Sequence, residues 1–182
     1  MVRRRRPARR RRRHHAHPRP HQGPRSGRRT RNRRRLRPRR RRHGQGWGGW
    51  NTTRGSSAVT EWAAQGTHSL RADVDLAKGE TFLSRKSTWD MTDRTRLTVR
   101  ARTAPWGDHA AGTRAKLYVR TGAGVTWYDD GARLVGAQGA TLTLDLSKVA
   151  ELHDVREIGV DFVPAVGATG TSAVYVDDLT VE

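Results

Sequence analysis

"ATLTLDLS", residues 140–147, alternates without a break, with Leu142, Leu144 and Leu146 on one side and Thr141, Thr143 and Asp145 on the other. Successive side chains leave an extended backbone on opposite faces, so a period of two marks a half-buried β-strand. A helix would need apolar residues three and four apart. Working outward, the same rhythm recurs. "SLRADV" (69–74) sets Leu70, Ala72 and Val74 against Arg71 and Asp73, and "RLTVRART" (96–103) sets Leu97, Val99 and Ala101 against Thr98, Arg100 and Arg102. "RAKLYVR" (114–120) offers Ala115, Leu117 and Val119 inward, with Lys116, Tyr118 and Arg120 outward. "TGAG" (121–124) then "VTWYDD" (125–130) complete a hairpin, its glycines free to take positive φ. "REIGVDFV" (156–163) and "SAVYVDDLTVE" (172–182) close the series.

These segments predict about eight strands. No helical run is long enough to form the crossovers a parallel sheet requires, and "SKVAELHDVRE" (147–157) allows only a short helical turn. The expected fold is all-β, an antiparallel sandwich of two packed sheets.

The charge is distributed unevenly. The 182 residues carry a formal +20, with 37 Lys and Arg against 17 Asp and Glu. Residues 1–45 contain 22 of the arginines and no acid, which leaves 15 basic against 17 acidic residues in the remainder, a net of −2. The 6 Trp, 3 Tyr and 2 Phe all follow residue 46. A head with Val2 and Leu36 as its sizeable aliphatics cannot bury enough surface to offset chain entropy, so residues 1–43 read as a disordered polyarginine segment. Residues 44–182 are of a normal size for one domain. A +22 segment attracts phosphate through counterion release, so nucleic acid binding by the head is the alternative function; the near-neutral body requires no polyanion. The head's Arg, Pro, His, Gly and Ala all have GC-rich codons. That is the text expected of a frameshifted or mis-started remnant, with a catalytic domain encoded upstream.

The chain contains no cysteine, which excludes disulfides and thiolate metal sites. No apolar run of about 18 residues exists to span a membrane, and no apolar h-region follows the basic start, so no secretion signal is recognised. Asp129–Asp130 and Asp177–Asp178 are neighbours whose members point to opposite faces of a strand, so spacing makes neither a catalytic dyad. His68, His109 and His153 are scattered in polar surroundings, and "HHAH" (14–17) sits in a polycation that repels metal ions. Nothing nominates an active site.

The tryptophans are the main functional signal. Trp47 and Trp89, beside strand starts, are expected to seal the core. Trp106 in "TAPWGDHAAG" and Trp50 in "GWGGWNTT" lie in glycine-bearing, loop-like stretches, where an indole serves as a binding platform. A sugar ring presents an apolar CH face and a rim of hydroxyls, so its receptor needs flat aromatics beside amides, carboxylates or guanidinium groups. Trp127, Tyr128, Asp129 and Asp130 supply that mixture in consecutive residues. The candidate stacking surfaces are therefore Trp106, Trp127 and Tyr128, with Asp129, Arg100 and Tyr118 as polar partners, the last two assigned by alternation to one outward face.

The segments "GQGWGGWN" (44–51), "VTEWAAQGTHSLRADVDL" (59–76), "RAKLYVRTGAGVTWYDDGARLV" (114–135), "DVREIGVDFV" (154–163) and "VYVDDLTVE" (174–182) together resemble the galactose-binding-like β-sandwich attached to bacterial β-mannanases and related secreted glycoside hydrolases. The resemblance covers essentially all of 44–182. It implies a jelly roll and non-catalytic carbohydrate binding, with β-mannan or a related plant polysaccharide as partner. It also implies an extracellular setting, a monomer, and a catalytic domain elsewhere in the parent enzyme. It further implies a structural calcium between an acid near the first strand and an aspartate on the last. Asp177 matches the latter and the Gly66–Ser69 turn matches the backbone ligands, whereas Arg39 to His43 stand where the former acid would be.

Overall fold

The computed structural model of the chain describes residues 46–107 and 113–182. The Arg-rich head, its HHAH run and His109 lie outside them.

Among the described residues, eleven strands form two antiparallel sheets. They are β1 (Trp47–Trp50), β2 (Thr52–Val59), β3 (Ser69–Asp75), β4 (Thr81–Trp89), β5 (Arg96–Thr103), β6 (Arg114–Thr121), β7 (Thr126–Asp129), β8 (Arg133–Leu134), β9 (Ala140–Asp145), β10 (Val155–Val163) and β11 (Thr171–Val181). One sheet runs β1-β4-β10-β6-β7 with β8 paired to β6, and the other runs β2-β3-β11-β5-β9. Each predicted alternating segment is a strand. Four strands are not among those segments, and each lacks a clean period: the glycine-rich β1, the Ser/Thr-rich β2, β4 with its polar middle, and the two-residue β8. The "SKVAELHDVRE" stretch supplies two short 3-10 turns, Leu146–Lys148 and Leu152–Asp154.

The core lies between the sheets. The five-stranded sheet contributes Leu70, Ala72, Val74, Leu97, Val99, Ala101, Leu142, Leu144, Val174 and Val176. Facing them from the six-stranded sheet are Leu83, Ala115, Leu117, Val119, Ile158, Val160 and Phe162. Apart from Leu83, Val174 and Val176, these are the inward residues that alternation predicts, and each Val, Leu, Ile or Phe buried in this way contributes about 1.5–3 kcal/mol. Trp47 and Trp89 pack against this core as expected, although Trp89 ends β4 rather than opening a strand.

The β6–β7 hairpin is present, with Tyr118 opposite Asp129 and Arg120 opposite Trp127. In its turn Gly122 has φ 68°, while the second positive φ falls on Val125 (51°) rather than on Gly124. The positive φ favours glycine at 122, and a Cβ there would displace the exposed Glu151 carboxylate.

Most of the aromatic side chains are not in this core. Phe162 is; Tyr118 and Tyr175 are each 1% exposed but lie on outer faces, roofed by other rings. The tryptophan content thus builds surfaces.

Candidate functional site

The outer face of the six-stranded sheet carries a groove of about 310 Å³ lined by Trp50, Phe82, Ser84, Lys86, Tyr118, Arg120, Trp127 and Glu157. Register explains how residues so distant in sequence meet. Phe82, Asp161 and Lys116 form one cross-strand row, with Trp50 opposite Phe82 at its β1 end. Ser84, Gly159, Tyr118 and Asp129 form the next, and Lys86, Glu157, Arg120 and Trp127 the third.

The middle row has a gap, because Gly159 has no side chain. A Cβ there would stand 2.5 Å from the Tyr118 ring, so the glycine is what lets that ring settle onto the sheet. Trp127 stacks on Tyr118 with centroids 3.8 Å apart and planes 16° from parallel. Phe82 meets both rings edge-on at about 6 Å, and Trp50 tilts against Phe82 at 5.3 Å. The result is a continuous aromatic strip from β1 to β7 with Trp50, 63% exposed, at its open end.

Polar groups flank the strip. The Tyr118 hydroxyl donates to Glu157 Oε1 at 2.8 Å, and Arg120 Nη1 lies 3.7 Å from Glu157 Oε2. Burial, reinforced by that carboxylate, pushes the Tyr118 phenol far above the usual tyrosine range. Lys116 Nζ stands 2.9 Å from Oδ2 of the fully buried Asp161, an ion pair. Desolvation raises the Asp161 pKa against the pull of Lys116, while the pair holds the lysine above its ordinary value. Asp129 Oδ2 accepts from the Trp127 indole N–H at 2.5 Å and Oδ1 from Gly131 N at 2.8 Å. Asp129 therefore orients Trp127, and both of its oxygens are already engaged.

Of the residues nominated from sequence, Trp127 and Tyr118 line the groove, and Asp129 supports Trp127 without lining it. Tyr128 has the opposite parity to Trp127 and packs against the core beneath β7. Arg100 and Tyr118 do not share a face. Each points outward, but β5 and β6 belong to different sheets, and Arg100 donates to Thr141 Oγ1 on the far side of the sandwich. Trp106 follows β5 on that same far side, beside Arg71. Trp50, Phe82, Ser84, Lys86, Arg120 and Glu157 were not nominated. Trp50 alone carried a signal, its glycine-bearing surroundings.

The arrangement around Asp177 does not fit the expected calcium. Asp177 Oδ2 accepts the amides of Ala64 and Gln65 at 2.8 and 2.9 Å, so N–H donors crowd the carboxylate where a cation would need oxygens. Among the described residues no group of three or more acidic or histidine side chains is placed to share an ion. Positions 39–43, where the second acid would stand, lie outside the described residues.

A family model for the mannanase galactose-binding domain-like family matches residues 41–178. The chain belongs to that family. A curated relative, mannan endo-1,4-beta-mannosidase A and B of Caldalkalibacillus mannanilyticus, is 34% identical over 137 residues, which cover 74% of this chain and 27% of the relative. The chain thus spans about a quarter of that protein's length. Among solved structures, a family 28 carbohydrate-binding module specific for non-crystalline cellulose superposes with a TM-score of 0.57 at 11% identity, over 76% of this chain and 87% of the other. A family 61 module in complex with β-1,4-galactotriose gives 0.54 at 14% identity, over 77% and 90%. At such identities the likeness is one of fold. The mannanase-type galactose-binding-like domain is thus a β-sandwich that shares its fold with these carbohydrate-binding modules. Among the described residues no helix is long and apolar enough to cross a membrane.

Proposed function

We propose that the groove binds β-mannan or a related neutral plant polysaccharide, and that the chain serves as the non-catalytic, extracellular, monomeric binding module of a glycoside hydrolase of the mannanase type. The observation that carries this reading is the aromatic strip from Trp50 to Trp127, flanked by Ser84, Lys86, Glu157 and Arg120. Pyranose CH faces stack on Trp50 and on the open side of Trp127, while Ser84, Lys86 and the Glu157–Arg120 pair meet hydroxyls at the rim. Lys116 and Arg120 each face an acid, which leaves Lys86, among the described residues, as the groove cation free to meet a hydroxyl. Family membership and the mannosidase relative support mannan as the sugar class.

Affinity electrophoresis in gels containing galactomannan tests this, with the full chain and residues 44–182 run side by side. Retardation of both, persisting in salt, is the expected result. Retardation that requires the Arg-rich segment and vanishes with salt would assign binding to that segment instead.

A further inference from the structure

The outer face of the five-stranded sheet, across the sandwich from the groove, carries a second aromatic assembly. Cross-strand register sets Arg71, Tyr175 and Arg102 in one row. The turn after β2 brings Trp62 over that row, 6.1 Å from Tyr175 and edge-on to it. Two residues of β11 fix this turn: the Tyr175 hydroxyl donates to Glu61 Oε2 at 2.6 Å, and Asp177 accepts the Ala64 and Gln65 amides. Arg71, 5.6 Å from the Trp106 ring, is neutralised by Glu61 and Asp73.

Arg102 differs. Its guanidinium carbon lies 5.1 Å from the Tyr175 centroid and 5.3 Å from that of Trp62, so two rings hold it in place. Among the described residues no carboxylate lies within ion-pair distance of it, and its Nε is buried without an acceptor. A buried donor left without an acceptor costs free energy, and such groups mark places where a partner is missing. Stacking uses the faces of a guanidinium and leaves its in-plane fork of N–H donors, whose spacing matches a carboxylate. Beyond the row, Trp106 offers an indole 46% exposed.

We propose that this face is a second sugar site, one that takes an acidic oligosaccharide: a uronate carboxylate on the Arg102 fork and another pyranose ring of the same oligosaccharide on Trp106, past the Arg71 end of the row. It stands apart from the groove and does not depend on it.

The test is a titration of the 15N-labelled full chain, followed at the tryptophan indole N–H signals. All six tryptophans lie outside residues 1–45, so saturable shifts confined to Trp62 and Trp106 locate binding on this face. The probe is aldotetrauronic acid, which carries a single uronate, with xylotriose as its neutral control. Saturable shifts at Trp62 and Trp106 are expected, with the neutral control weaker by about tenfold or more. Arg102→Lys keeps the charge and the stem but lacks the fork, and should weaken binding comparably; Trp106→Ala, at an exposed position, should do the same. No saturable shift at Trp62 and Trp106, equal affinity for the two oligosaccharides, or wild-type binding by Arg102→Lys would overturn the proposal. The groove is read separately in the same spectra, from Trp50 and Trp127 during titration with mannohexaose.

Discussion

The ring of Tyr118 occupies the space that a side chain on Gly159 would fill, with Tyr118 Cζ and the hydroxyl each 2.5 Å from where a Cβ would stand. The pair joins sequence to site, because a missing side chain on β10 is what allows an aromatic strip to cross that strand. Gly159→Ala should lift Tyr118 off the sheet and separate it from Glu157. A loss of about 1–3 kcal/mol is expected from such overpacking, measured by denaturant unfolding, together with weakened polysaccharide binding.

Tyr118→Phe tests the polar partner of that ring. It removes the donor to Glu157 and should cost about 0.5–1.5 kcal/mol, since Arg120 remains beside the carboxylate. Phenolate absorbance gives a companion test at high pH. Burial, aided by Glu61, pushes Tyr175 up to about 12, and Tyr118 lies higher still. Because both folded-state values exceed the unfolded one, their contribution to stability is complete below about pH 10 and is lost as pH rises through the folded pKa. The two phenols should therefore ionise late, close to alkaline unfolding. An ordinary titration of all three tyrosines in the folded protein would be incompatible with this burial.

Asp161 should titrate above the exposed aspartates in a 13C carboxyl NMR experiment, because desolvation outweighs the Lys116 ion pair. The sign follows from the raised value. The group favours the fold at low pH and loses that contribution as pH climbs through its folded pKa. Asp90, Asp145 and Asp154 are held low, mainly by hydrogen bonds to Thr92, Ser147 and Arg156, and act in the opposite direction on acidification.

Chelation should leave the melting temperature unchanged, since Asp177 is engaged by amides rather than gathered into a cage of oxygens. Asp177→Ala should lower the melting temperature by releasing the turn that carries Glu61 and Trp62. A marked fall with EDTA, restored by calcium, would contradict the geometry described for Asp177.

Strand faces were legible in the sequence because parity is local: Leu142 and Leu144 could point nowhere else, and the core inherits them. The site was legible only in part because it depends on strand order. Parity correctly turned Tyr118 and Arg100 outward but could not say that β5 and β6 lie in different sheets. The same rule separates Trp127 from its neighbour Tyr128, which packs inward. Trp50 and Phe82 reach Trp127 only because β4 lies between β1 and β10, and Phe82 pairs with Asp161 across more than 70 residues, which no short window contains. Glu157 keeps the outward parity of Gly159 and Asp161, which brings its carboxylate to the Tyr118 hydroxyl, whereas the bulge between Val155 and Glu157 turns Val155 into the core.

The most direct test of the groove is isothermal titration of mannohexaose into Trp50→Ala, accompanied by a melting curve. Trp50 is 63% exposed at the open end of the strip, so its removal should leave the melting temperature within about 1–2 °C of the wild type while weakening binding by about tenfold or more. Unchanged affinity in Trp50→Ala, or loss of mannohexaose binding in Trp106→Ala instead, would contradict the account.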